Sequence, residues 1–310
     1  MEITLEYLND AVANGTIDEV IRVAEARQRK RLGAIADAIC AKGNVRLVLI
    51  AGASSAGKTT TATRLCTQLR VNEREALLVS TDDYFVGDKL NPRDENGNLD
   101  YEHLECVDLK KFAADINALL SGEEILRRRF DFQKHEGYIS EEKRKISETG
   151  IIVVEGIHAL NPRLCENVVE TGRFGIFIDP VPSVDIFSGI KPKSTDARLL
   201  RRLVRDNRFR KMSPSDTFNM WPSVLAGEEK WIKPFRGLAD EFFDSYLCYE
   251  LSVLKFYAGG LLERARLELG EKAEIMNLIR TLAPFTPVSS VCVPGDSILR
   301  ETIGGSQLKY

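Results

Sequence analysis

The stretch Gly52-Ala53-Ser54-Ser55-Ala56-Gly57-Lys58-Thr59 constrains this chain more than any other. It fits the pattern G-x-x-x-x-G-K-[ST], in which backbone N–H groups curl around phosphate oxygens. Just before it, Arg46-Leu47-Val48-Leu49-Ile50-Ala51 is apolar enough for a buried parallel strand. Just after it, 60–69 holds no Gly or Pro and reads as a helix. Each residue type has a physical task. Gly52 and Gly57 let the backbone turn with no Cβ in the way. The helix beginning near Lys58 adds the positive end of its dipole. Lys58 is a mobile point charge for the outer phosphates, and Thr59 offers a hydroxyl suited to Mg²⁺. Strand, loop and helix in this order point to a P-loop α/β fold, a parallel sheet with helices on both faces. The loop residues, with Thr60 behind them, are the expected polyphosphate site.

At 310 residues the chain has room for one large α/β domain with appendages. Acidic residues outnumber basic ones, 46 to 43, for a net charge of −3. That balance argues against a protein dominated by nonspecific nucleic-acid binding. No apolar run approaches the roughly 20 residues that cross a bilayer, and the N-terminus carries no signal-peptide core. Cys40, Cys66, Cys106, Cys165, Cys248 and Cys292 are scattered without ligand-like spacing. They read as reduced thiols of a cytoplasmic protein, with no zinc site and no membrane partner. Homo-oligomerisation stays open.

Three regions are expected. Residues 1–43 form a helical extension, with Leu32, Ile35, Ala36 and Ile39 on one apolar face. Within it, Arg27, Arg29, Lys30 and Arg31 read as a solvated helix face rather than a contact patch. Residues 44–275 form the P-loop domain, with strands at 45–51, 76–80, 151–154, 174–178 and 246–251, a polar loop at 86–100 and a strongly basic helix at 196–212. Residues 276–310, punctuated by Pro and Gly, read as a tail packed on that domain, with a short helix at 297–302.

In parallel sheets ligands sit beyond the carboxyl ends of the strands, so the residues there carry the chemistry. Thr81-Asp82-Asp83-Tyr84-Phe85 follows strand 76–80. An alcohol that attacks a phosphoryl group must lose a proton, and Asp82 beside a P-loop is suited to take it. Its alternative is an N-cap or turn aspartate. Glu155 ends four β-branched residues, the Walker B position that holds Mg²⁺ directly or through water. Arg198, Arg201, Arg202 and Arg205 fall at i, i+3, i+4 and i+7 on one helix face, suited to a lid over a triphosphate. No aromatics are interleaved there for base stacking, which counts against an RNA surface. Phe130-Asp131-Phe132-Gln133-Lys134-His135 combines aromatics with a polar end, and on residues alone reads equally as a base sandwich or a buried Phe pair.

Taken together, these motifs resemble the phosphoribulokinase/uridine kinase family of P-loop kinases, in matching order over 45–255. Ser80-Thr81-Asp82-Asp83-Tyr84-Phe85 resembles the segment whose first aspartate is the base, here Asp82. Asp100 resembles the aspartate that binds ribose hydroxyls, and Phe130-Asp131-Phe132-x-x-His135 the segment that contacts the pyrimidine. Glu155-Gly156-Ile157 resembles the Walker B strand end. Arg198-x-x-Arg201-Arg202-x-x-Arg205-Asp206 resembles the lid. Phe130 and Phe85 stand where tyrosines are usual, and the Asp100–Asp108 spacing is longer than in short uridine kinases. The resemblance implies a Mg²⁺-dependent kinase that moves the γ-phosphoryl of ATP (or GTP) to a primary alcohol, foremost the 5′-hydroxyl of a pyrimidine nucleoside. In it, Lys58, Arg201 and Arg205 act beside Asp82 in transfer. Arg198 and Arg202 join 52–60 on the nucleotide, Thr59 and Glu155 hold the metal, and Tyr84, Asp100, Phe130 and His135 hold the acceptor. The alternatives are another alcohol, such as a sugar phosphate or pantothenate-like acceptor, and a non-catalytic, RNA-associated nucleotide module.

Overall fold

The computed structural model describes residues 3–94, 97–132, 134–186 and 191–309. Two helices, α1 (Leu5–Ala13) and α2 (Ile17–Ala41), precede the strand β1 (Val45–Ala51), the P-loop and α3 (Lys58–Val71). Next come β2 (Ala76–Ser80), α4 (Leu109–Leu120), the hairpin strands β3 (Ile125–Asp131) and β4 (Glu136–Arg144), β5 (Ile151–Glu155) and β6 (Gly172–Asp179). The chain then forms α5 (Ser194–Phe209), α6 (Pro214–Trp231), β7 (Glu241–Asp244), α7 (Glu250–Leu269), α8 (Ala273–Leu282) and α9 (Arg300–Ile303).

Five strands make one all-parallel sheet in the order β2-β5-β1-β6-β7. Period-2 alternation sorts its side chains onto two faces. Leu47, Leu49, Ile152, Val154 and Phe177 pack with Phe112, Ile116 and Leu119 of α4. Val48, Ile50, Val153 and Ile176 pack on the other face with Ile35 and Ile39 of α2 and Leu65 and Leu69 of α3. Both faces are covered, which is why these strands read as continuous apolar runs. A third cluster joins α1 and α5 to α8 beside the sheet. The chain leaves central β1, crosses to edge strand β2, returns through β5 and then passes to the other side of β1. The P-loop therefore sits at the switch point, where such sheets bind ligands. All six cysteines are free, and no helix among the described residues is long and apolar enough to cross a membrane.

Two secondary-structure expectations are corrected. The fifth strand lies at Glu241–Asp244, not at 246–251, whose apolar residues lead into and begin α7. A short apolar run does not by itself distinguish a strand from the start of a buried helix. The β3–β4 hairpin was not anticipated. Its strands carry Arg127, Arg128 and Arg129 opposite a charged partner strand and stand apart from the main sheet, so no buried face imprints alternation on them. The short tail helix is confined to Arg300–Ile303.

Candidate active site

A cleft of about 2260 Å³ opens at the carboxyl ends of β1, β2 and β5. The P-loop forms its floor. At Gly52 a Cβ would lie 2.3 Å from the Ile178 carbonyl oxygen, so only glycine allows β1 and β6 to approach there. Gly57 has φ +87°, and a Cβ would meet Ile298 of the C-terminal segment at 2.7 Å. Ser55 also takes a positive φ, +62°, which completes the curl. Lys58 Nζ donates to the Ala53 carbonyl at 3.2 Å, folded across the loop.

Sheet register assembles the acidic wall. Ser80 is paired with Glu155 across β2 and β5, and Ile50 with Glu155 across β1 and β5. Glu155 Oε1 accepts from Ser80 Oγ at 2.5 Å and from Thr59 Oγ1 at 3.3 Å. Burial, reinforced by the nearby Asp82 charge, pushes the Glu155 carboxyl up to about 7, against the pull of Lys58 and the Ser80 hydroxyl. These oxygens suit a hard cation that takes the rest of its shell from phosphate and water. Among the described residues no three His, Cys, Asp or Glu side chains cluster as a metal cage. Thr59 and Glu155 fit Mg²⁺ carried in with a nucleotide.

Asp82 follows β2 in the 3-10 turn Thr81–Tyr84, where its N–H donates to Ser80 Oγ at 3.4 Å. Its carboxylate lines the cleft, and among the described residues it has no hydrogen-bond or ion-pair partner. Asp83 is committed differently, to Arg127 at 3.4 Å. Gly156 keeps this turn in place, since a Cβ there would fall 1.8 Å from Thr81 Oγ1. Gly156→Ala is expected to displace Thr81 and with it Asp82. Turnover should fall well before nucleotide binding does, with a stability loss of about 1–3 kcal/mol. A melting curve and a turnover measurement on the same preparation check both parts.

The arginine face divides into two placements. Arg202 and Arg205 line the cleft, but Arg198 and Arg201 do not. Arg198 binds Glu228 at 2.6 Å and lies over Trp221, while Arg201 grips Glu250 through Nε at 3.1 Å and Nη2 at 2.6 Å. Through Nη1 each also reaches the P-loop backbone, Arg198 donating to Ser54 O and Arg201 to Ser55 O, both at 3.4 Å. The expectation that all four arginines form one lid is thus corrected, because buried carboxylates on α6 and α7 hold two of them beneath the loop. Arg202 Nη1 donates to Ser54 Oγ at 2.9 Å. Asp206, fully buried, binds Arg202 at 3.2 Å, Arg205 at 2.8 Å and Arg210 at 3.6 Å, so one carboxylate orders three guanidinium groups.

The expected acceptor residues are only partly brought together. Phe130 lines the cleft and meets Phe85 and Phe132 edge to face, with centroids 5.5 and 5.1 Å away. His135, at φ +54°, also lines it, with Nδ1 3.1 Å from Asp88 and 3.3 Å from the Tyr101 hydroxyl. Tyr84 instead is buried, packs on Phe112 and donates to Asp115 at 3.1 Å. It faces away because its turn seats it against α4. Asp100 is outside the cleft lining, its Oδ1 accepting from Glu102 N at 3.1 Å. Gln133 lies outside the described residues. Several cleft residues carried no role in the sequence reading, Glu102 and Glu301 among them. Glu102 lies in the acidic stretch 94–105, two positions after Asp100. Glu301 Oε2 accepts from Thr60 Oγ1 at 3.0 Å across 241 residues, a separation that no local pattern can signal.

Residues 47–251, well over half of the chain, match the phosphoribulokinase/uridine kinase family. A uridine kinase of Halobacterium salinarum is 28% identical over 193 residues, which is 62% of this chain and 76% of that protein. A uridine kinase of Lactobacillus helveticus is 26% identical over 195 residues, 63% of this chain and 83% of that protein. A solved structure described as a possible uridine kinase from Bacillus stearothermophilus aligns over 71% of this chain and all of its own, with 19% identity and a TM-score of 0.45. The matched span runs from β1 into α7 and takes in the P-loop, both acidic strand ends and the arginine helix. The chain belongs to the phosphoribulokinase/uridine kinase family and is a P-loop kinase that uses a nucleotide as phosphoryl donor.

Proposed function

We propose that this protein transfers the γ-phosphoryl group of ATP, with Mg²⁺, to a primary hydroxyl, and that the acceptor is a pyrimidine nucleoside phosphorylated at its 5′-hydroxyl. One observation carries the reading. The carboxylate of Asp82, unpaired among the described residues, shares a cleft with Lys58 and with the Thr59–Glu155 pair. The uridine kinases among its relatives support the choice of acceptor.

In this reading Lys58 swings off the Ala53 carbonyl onto the outer phosphates, and the N–H groups of 52–60 cradle the chain of oxygens. Thr59 and Glu155 would hold Mg²⁺, which when bound offsets negative charge on the phosphates. Asp82 takes the proton from the acceptor hydroxyl as its oxygen attacks, and carries that proton on its carboxylate until release. Arg202 and Arg205 face the transferring group, where charge is redistributed, while Arg198 and Arg201 keep the loop in shape from behind. Phe130 and His135 hold the acceptor. Asp82 and Glu102 line that side together with Arg127 and Arg129 of β3, of which Arg127 is paired with Asp83.

A coupled ADP-release assay with MgATP or MgGTP across nucleosides and small alcohols tests this. Uridine or cytidine should give the highest kcat/KM. Faster turnover of a sugar phosphate would replace the acceptor, and nucleotide binding with no acceptor-stimulated release would remove the kinase reading.

A further inference from the structure

The C-terminal segment walls the cleft beside the P-loop, yet it takes no part in the transfer described above. Arg300, Glu301, Gly304, Gly305 and Ser306 all line the cleft. They lie beyond residues 47–251, outside the span that matches the family. The segment is fixed at several points. Ile298 seats against Gly57 of the P-loop. Ser297 is fully buried, with its Oγ 3.4 Å from the Tyr249 hydroxyl, which donates to Glu25 of α2 at 2.7 Å. The Arg300 guanidinium donates to the carbonyls of Ser290 at 2.8 Å, of Pro294 and Gly304 at 3.2 Å, and of Val293. A backbone tied in this way presents its side chains from a preset position.

Glu301 is half-buried in this wall, its Oε2 accepting from Thr60 Oγ1 at 3.0 Å. Its Oε1 has no hydrogen-bond partner among the described residues. Thr60 fixes where that carboxylate stands along a bound nucleotide. In a P-loop the lysine serves the outer phosphates, the next hydroxyl the metal, and the backbone N–H groups the inner phosphates. Thr60 stands one residue past Thr59, in the first turn of α3. The group that follows the innermost phosphate is the ribose, whose 2′- and 3′-hydroxyls are neutral donors. A carboxylate accepts from such hydroxyls, as the acidic residue of dinucleotide-binding sites does.

We propose that Glu301 recognises the ribose of the donor nucleotide, accepting a hydrogen bond from its 2′- or 3′-hydroxyl while Thr60 holds the other carboxylate oxygen. The C-terminal segment is then a specificity element for the donor, contributed from outside the family-matched span. The inference rests on that part of the kinase reading that puts a nucleotide on the P-loop, and it is independent of the acceptor. A site built to hydrogen-bond a hydroxyl rejects strongly an analogue that lacks it, because its own polar group is left unpaired.

Equilibrium titration of the full chain with MgATP and with the Mg²⁺ complex of 2′,3′-dideoxy-ATP tests this without an acceptor. The wild type should bind the dideoxy nucleotide about tenfold or more weakly, the loss of a hydrogen bond to a charged group. Glu301→Ala should weaken MgATP binding to the dideoxy level, so that its two Kd values agree within about twofold. Glu301→Gln keeps a neutral acceptor oxygen and should give an intermediate ratio. A glutamate that only braces Thr60 would raise both Kd values together and keep their ratio, and that result overturns the proposal. Where Glu301→Ala does not fold, a wild-type ratio in Glu301→Gln has the same force. A wild type that binds the two nucleotides within about twofold of each other also overturns it. ADP release with uridine, measured on the same wild-type protein, keeps the two readings apart. Discrimination against the dideoxy nucleotide without acceptor-stimulated release would remove the kinase reading and leave the ribose contact standing. A chain that binds neither nucleotide overturns both.

Discussion

Asp82→Asn is expected to cut phosphoryl transfer by about 10²-fold or more while MgATP binding stays within about threefold of wild type. The substitution is nearly isosteric, so the turn Thr81–Tyr84 and its Ser80 cap should survive. What is lost is the group able to receive a proton, because an amide is too weak a base. Binding should be spared because Asp82 is bonded to no P-loop residue, and because its charge raises the proton affinity of Glu155. Removing that charge favours ionised Glu155, the form that holds a cation, so any change in nucleotide binding should be towards tighter. Steady-state ADP release alongside a MgATP titration separates the two quantities. Turnover within threefold of wild type would remove Asp82 from the mechanism. An equal loss of binding and turnover would make it part of the nucleotide site instead.

What the sequence disclosed and what it withheld follow from how far each signal is spread along the chain. The P-loop is eight consecutive residues, and its backbone demands appear directly as Gly52 and Gly57. The places of Asp82 and Glu155 were legible because each stands at the carboxyl end of an apolar strand, half-buried β2 at the sheet edge and fully buried β5, and parallel register then brings Ser80 and Glu155 side by side. The arginine helix was legible as a helix but not in its division of labour. Nothing within 198–205 says that Glu228 and Glu250, on two later helices, take Arg198 and Arg201 out of the cleft. The hairpin escaped because its strands are charged on both sides and obey no burial rhythm. Tyr84 illustrates the converse. A residue in the right motif can face the wrong way when its turn packs against a helix, here Phe112 and Asp115 of α4.

The division among the arginines carries the second large expectation. Arg201→Met should lower stability by about 3–5 kcal/mol, since it strands the Glu250 carboxylate without its partner. The two side chains are 2% and 0% exposed, so water cannot take over the lost bonds. For a chain of this size the loss corresponds to a fall in melting temperature of roughly 10 °C. Leu247 N still donates to Glu250 at 2.9 Å, but one backbone N–H does not balance a buried negative charge. Replacing both residues, Arg201→Met with Glu250→Met, removes both charges together and should recover most of the stability, as buried pairs exchanged for apolar packing often do. The comparison also separates bracing from chemistry. The double variant still lacks the contact from Arg201 to Ser55 O, so its MgATP affinity should remain weakened even when its melting curve has recovered. A single variant that melts within 2 °C of wild type would show that the ion pair is dispensable. A double variant with wild-type nucleotide affinity would show that the loop keeps its shape without this arginine.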